Sequence, residues 1–121
     1  MAKQTSNLDR VFHALADPTR REIVRLLTRG PASVSELAEP FAMAMPSLLQ
    51  HVRVLEASRL IRTEKSGRVR TCEMRPLALR VAERWLSEQR ALWEDRLDRI
   101  ESYVATLQSK EKKHGKRSAK S

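Results

Sequence analysis

The stretch Met45-Pro46-Ser47-Leu48-Leu49-Gln50-His51-Val52-Arg53 gathers the side chains best suited to recognition chemistry. Leu48, Val52 and Leu55 recur at helical spacing and would hold a helix over about 45–58 against a body. The other face then presents Met45, Pro46, Ser47 and Gln50, with His51 and Arg53 further along. Ser and Gln can hydrogen-bond base edges in the DNA major groove, Gln pairing well with adenine, and Met can touch a thymine methyl. His51 and Arg53 suit phosphates better. By itself such a face reads more simply as a solvated helix surface, so the surrounding elements decide its meaning.

A second group follows. Arg62, Lys65, Arg68 and Arg70 fall on an expected hairpin over 61–75, with Lys65 and Arg68 flanking a Ser66-Gly67 tip. A positive tip suits phosphate or a narrow minor groove, although an ordinary charged hairpin carries the same residues. Other chemistries find little material. There are no paired carboxylates in a cleft pattern, no nucleophile with a base, and only three glycines from which to build a phosphate cradle. An enzyme is excluded on those grounds. His13, His51 and His114 sit in three different elements, where a lone His is more often structural than a metal ligand. The single cysteine, Cys72, allows no intrachain disulfide and suits a reducing cytosol. It alternates with Met74 on a strand and reads as a small core residue, a Cys72–Cys72 bridge between two copies being the weaker alternative.

Stepping along the chain, apolar residues at 8, 11, 12 and 15 mark a first helix that Asp17-Pro18 breaks. Asp17 can cap a second helix running to about Arg29, where Gly30-Pro31 stops it. Ser33-Val34 is expected extended, and Ser35 is expected to cap a third helix that Pro40 shortens. The fourth helix and the hairpin come next, and Pro76 opens a last helix to about residue 108. In that helix Trp93, Leu97, Ile100, Val104 and Leu107 alternate by four and three, the pattern of a coiled-coil seam, with Trp85 and Leu92 on a neighbouring face. Two short helices joined by a tight turn and followed by a hairpin make a winged helix-turn-helix. The fold expected is mainly α with a small β-hairpin: a flexible arm over 1–7, one domain over 8–108 and a disordered basic tail over 109–121.

Charge agrees with a polyanionic partner. The net charge is +9, and residues 109–121 carry six Lys/Arg (Lys110, Lys112, Lys113, Lys116, Arg117, Lys120) against Glu111 alone. That tail could add non-specific affinity or serve only solubility. The polar start is no signal peptide, and no apolar run approaches the roughly 18–20 residues that span a bilayer. A cytoplasmic protein with no membrane partner is expected.

Phe12-His-Ala-Leu-Ala-Asp-Pro-Thr-Arg-Arg-Glu-Ile-Val (12–24), Ser33-Val-Ser-Glu-Leu-Ala (33–38) and Gln50-His-Val-Arg-Val-Leu-Glu-Ala-Ser-Arg-Leu-Ile (50–61) resemble the ArsR-type (arsenical-resistance repressor) regulators. Trp85 and Trp93-Glu-Asp-Arg-Leu-Asp-Arg-Ile-Glu (93–101) look like the non-metal-sensing branch. The resemblance covers about residues 8–107. It implies a homodimeric, often autoregulatory repressor binding double-stranded DNA at an inverted repeat, with dimer contacts from the first and last helices. Those contacts would fall on Leu8, Val11, Phe12, Trp85, Leu86, Trp93, Leu97, Ile100 and Val104. Metal-sensing members carry a Cys-x-Cys-type pair before the recognition helix or Asp/His pairs on the last helix. Here residues 36–41 have no thiol and 76–108 no His, so neither metal nor cofactor is expected. Leu49 stands where many relatives carry a small polar residue, and it either packs inward or touches a base. A non-specific or architectural DNA-binding protein is the remaining alternative.

Overall fold

Side chains write the helix starts. In the computed structural model, which describes residues 6–120 and their side chains as far as 112, the Ser6 hydroxyl accepts from the Asp9 N–H and opens α1 (Asn7–Leu15). The helix thus starts one residue inside the expected 1–7 arm, of which residues 1–5 lie outside the described part. Asp17 accepts from the Arg20 N–H at 3.1 Å and caps α2 (Pro18–Leu27), with Pro18 in the first turn where a missing N–H costs nothing. Gly30, at φ 138°, turns the chain out of α2 through a conformation that side chains disfavour.

Next comes β1 (Ala32–Ser33), then α3 (Val34–Ala38). The cap of α3 is Ser33 rather than the expected Ser35. Ser33 and Glu36 form a reciprocal capping box, each side chain bonded to the other's backbone N–H, which Ser35 could not close with any acid three residues on. Those bonds hold the Glu36 carboxyl below its ordinary value. α3 ends before Pro40, as expected, and a connection over 39–44 leads to α4 (Met45–Ala57).

No glycine ends α4. Arg59 takes the left-handed conformation instead (φ 64°). The Arg59 N–H bonds the Glu56 carbonyl and the Leu60 N–H the Leu55 carbonyl, the paired closure of a Schellman motif. β2 (Ile61–Ser66) and β3 (Val69–Met74) follow as a hairpin whose two-residue loop is Gly67-Arg68, one residue beyond the expected tip. Gly67 has φ 61°, as the first residue of a II′ loop needs. β3 also pairs with β1, making a three-stranded antiparallel sheet in the order β1-β3-β2, one strand more than the expected hairpin.

α5 (Pro76–Lys120) runs past the expected end near 108, so residues 109–120, expected to lack structure, are helical here. The chain divides into two compact units after Arg84. In the first, Ile23, Leu27, Leu37, Leu48, Val52, Leu55, Leu60, Ile61 and Cys72 close one core, to which α5 adds Ala78 and Ala82. Val11, expected at a dimer contact, belongs to this core at 0% exposure and has no surface left for a partner. Leu8 and Phe12 are half-buried against the same core. In the second unit Leu86, Leu92, Trp93, Leu97, Ile100, Val104 and Leu107 are all exposed, as is Trp85. Ion pairs at i, i+4 line its other side, Arg90–Glu94 and Asp95–Arg99, and the Arg96 guanidinium sits over the Trp93 ring. No helix among the described residues is long and apolar enough to cross a membrane.

Candidate nucleic-acid interface

α4 presents its residues much as its pattern requires. Leu48, Val52 and Leu55 are buried, while Met45, Pro46, Ser47, Gln50 and Arg53 are exposed. Leu49 is half-buried, packing on the core with one side and lining the groove with the other. The Arg53 guanidinium reaches the Gln50 carbonyl oxygen at 3.5 Å, a weak tie within the exposed face. His51, expected beside phosphates, has neighbours within its own chain. It is half-buried, its Nδ1 is 3.2 Å from Arg20 Nη1, and the Asp17 carboxylate lies 3.8 Å away.

The hairpin has two unlike faces. Strand alternation puts Thr63, Lys65, Arg70 and Cys72 on one side and Arg62, Glu64 and Glu73 on the other. On the second side Arg62 stands opposite Glu73 and pairs with it at 3.6 Å, and with Glu64 at 3.9 Å. Arg62 is therefore already balanced by its own strands. On the first side the Thr63 hydroxyl donates to Glu56 of α4 at 2.6 Å, which fixes this face toward α4, and Arg70 donates to Thr63 at 3.2 Å. Lys65 and Arg70 are direct cross-strand partners, a like-charge pair that costs stability unless an anion sits near. Among the described residues neither Lys65 nor Arg68 has an ion pair or a side-chain hydrogen bond.

These residues enclose a groove of about 530 Å³ between α4 and the hairpin. Met45, Leu49, Val52 and Val69 give it an apolar wall, and Arg53, Lys65, Arg68 and Arg70, against Glu56 alone, its net positive charge. Behind the sheet Cys72 is fully buried. Burial pushes its thiol up to about 11, the Glu56 carboxylate adding to the shift and Arg70 opposing it. It is a core residue, as its alternation implied. Among the described residues no three His, Cys, Asp or Glu side chains group closely enough to hold a metal ion.

Sequence reasoning treated the four hairpin cations alike and missed the balance of Arg62. The opposition of residues 62 and 73 follows once the loop is placed at 67–68. It also missed Arg20, 31 residues from His51, for which no local spacing speaks.

Comparison with known proteins agrees with this geometry. Residues 15–64 match the model of a helix-turn-helix domain family. The crystal structure of an ArsR family transcriptional regulator superposes with a TM-score of 0.72 at 53% identity, covering 78% of this chain and 97% of that one. The chain belongs to the ArsR family of transcriptional regulators. Its ArsR-family relatives are regulators and not enzymes, and the same is concluded here. The HTH-type transcriptional regulator Rv2034 of Mycobacterium tuberculosis is 41% identical over 71 residues, 59% of this chain and 66% of that protein. The transcriptional repressor SdpR of Bacillus subtilis is 35% identical over 60 residues, 50% of this chain and 67% of that protein. The match thus spans about two thirds of each curated relative.

Proposed function

We propose that this ArsR-family chain is a sequence-specific transcriptional repressor that acts in the cytoplasm as a homodimer on an inverted-repeat operator, its own promoter included. The observation that carries the reading is that one compact unit presents two suitable exposed surfaces, one on α4 and one on the hairpin. An exposed face with Ser47 and Gln50 can read base edges in a major groove. On the hairpin, Lys65, Arg68 and Arg70 face a groove in which Glu56 is the single acid among the lining residues. The wing cations grip flanking phosphates and supply affinity without sequence, while α4 supplies the selectivity. Arg62, with partners of its own, takes no part in the grip, while His51, engaged through Nδ1 alone, keeps its Nε2 side for a phosphate.

Dimerisation runs through the exposed stripe of Trp93, Leu97, Ile100 and Val104, joined by Trp85 and Leu86, with Leu8 and Phe12 of α1 contributing where they remain accessible. The stripe's spacing by four and three is what a second copy of the same helix accepts. Two-fold symmetry then sets two copies of α4 on half-sites one or two turns apart, roughly 34 Å per turn.

The test is selection of duplexes from a random-sequence pool, followed by footprinting of the upstream region of the gene. The expected product is a motif with two half-sites related by a dyad, protected in the footprint. Equal affinity for enriched and scrambled duplexes at matched salt would instead leave an architectural DNA-binding protein.

A further inference from the structure

Arg20 is the busiest side chain of the first unit. It stands in the first turn of α2, yet its guanidinium works on two other helices. Nε donates to the Ala14 carbonyl at 2.7 Å and Nη2 to the His13 carbonyl at 3.2 Å. Both carbonyls belong to the last turn of α1, and that of His13 also accepts from the Ala16 N–H of the C-cap at 3.2 Å. The remaining Nη1 lies 3.2 Å from Nδ1 of His51, in the middle of α4. Asp17 holds the base of Arg20 by accepting its backbone N–H. Partial burial works to raise the Asp17 carboxyl, but the Arg20 N–H and the Arg20 guanidinium oppose it, and the carboxyl stays below its ordinary value.

A guanidinium has only donors and stays protonated. The contact at 3.2 Å is therefore a hydrogen bond only if His51 Nδ1 accepts, which places the ring proton on Nε2. Asp17, 3.8 Å from the same nitrogen, is too far to take that role. His51 directly follows Gln50 and sits one turn beyond Ser47, so whatever fixes the His51 ring fixes how that face is turned.

We propose that Arg20 is a positioning residue for DNA recognition, and that its fork ties the end of α1 to His51 and so sets the rotation of α4 about its axis. The inference rests on the reading of α4 as the helix that reads bases. Its chemistry is that of a planar donor holding three acceptors at once: two backbone carbonyls as a fixed base, one imidazole nitrogen as the adjustable point. A lysine in its place keeps the charge but loses the fork.

The test compares discrimination between a duplex enriched by the wild-type chain from a random pool and a scrambled duplex of equal composition. His51→Asn keeps an acceptor near the place of Nδ1, and His51→Phe keeps a ring without one. Both leave the two bonds from Arg20 to α1 intact, so both are expected to fold, with thermal midpoints confirming it. The expectation is that His51→Phe and Arg20→Lys each lose roughly tenfold in discrimination, that His51→Asn stays within about threefold of wild type, and that the double change Arg20→Lys/His51→Phe is no worse than either alone. Nitrogen NMR of the DNA-free chain should show an unprotonated Nδ1 in wild type that shifts in Arg20→Lys. A folded His51→Asn as impaired as His51→Phe, additive losses, or a protonated Nδ1 in wild type would overturn the proposal. Gln50→Ala separates the two readings. If it leaves discrimination unchanged, the base-reading role of α4 falls, and the ring spectrum still decides the latch by itself.

Discussion

Residues up to Arg84 and residues from Trp85 onward obey the same rule of apolar spacing and reach opposite ends. In the first unit Ile23, Leu37, Leu48, Leu55, Leu60 and Ile61 come from four different elements and the connection after α4, and all are buried almost completely. In the second, Leu92, Trp93, Leu97, Ile100, Val104 and Leu107 lie on one helix and stay exposed. Periodicity states that a face is made for burial. It does not state what covers it. A unit with several elements can answer from its own chain, whereas a single helix cannot, and isolated helices gain little from propensity alone.

That contrast can be broken or sharpened by experiment. The largest effect is expected from Leu55→Ala, which opens a cavity in the closed core. It should cost about 2–5 kcal/mol, with a loss read by denaturant melts that does not vary with protein concentration. Trp93→Ala should cost about 2–4 kcal/mol of association, read as a shift toward monomer by sedimentation, with the melt of the first unit at high dilution unchanged. A concentration-independent loss at Trp93 would erase the distinction between the two units.

Alkaline pH probes the core without mutation. Cys72 has its thiol raised from 9.0 to about 11, so the folded state keeps the proton that the unfolded state gives up. Its contribution is whole below pH 9 and is lost as pH rises through about 11. The loss should be on the order of 2 kcal/mol in wild type and absent in Cys72→Ala, and thiol reagents at pH 8 should label the chain only when it unfolds. The smallest effect separates the hairpin faces. Arg68→Ala should weaken binding to every duplex by on the order of 1 kcal/mol and reduce the salt slope by about one, while Arg62→Ala changes neither.

How much of this was legible beforehand differs by feature. The bounds of α4 are readable to within a residue, because Pro46 sets its start and Leu48, Val52 and Leu55 its inner face. The exposed face of Ser47, Gln50 and Arg53 came with it. The Ser33 cap was misread although Ser33-x-x-Glu36 was in plain view, since Ser35 also precedes an apolar run. The two-residue strand β1 overlaps the extended Ser33-Val34 that the sequence suggests, but its pairing with β3 joins distant segments that no local pattern links. The end of α4 gave no glycine to find, because Arg59 takes the left-handed turn itself. The division of the hairpin cations depended on a register that a one-residue error in the loop conceals, since each shift exchanges the faces. The Arg20–His51 contact joins segments that only tertiary packing brings together.

The register that sets Lys65 across from Arg70 makes dissolved salt pull two ways at once. Counterions gathering at the hairpin tip quiet the repulsion there and should firm the unliganded protein. The same ions compete for the grip on a nucleic acid and loosen it. Melting temperature of the lone chain and affinity for duplex should therefore drift apart as potassium chloride is added, one climbing gently while the other falls steeply.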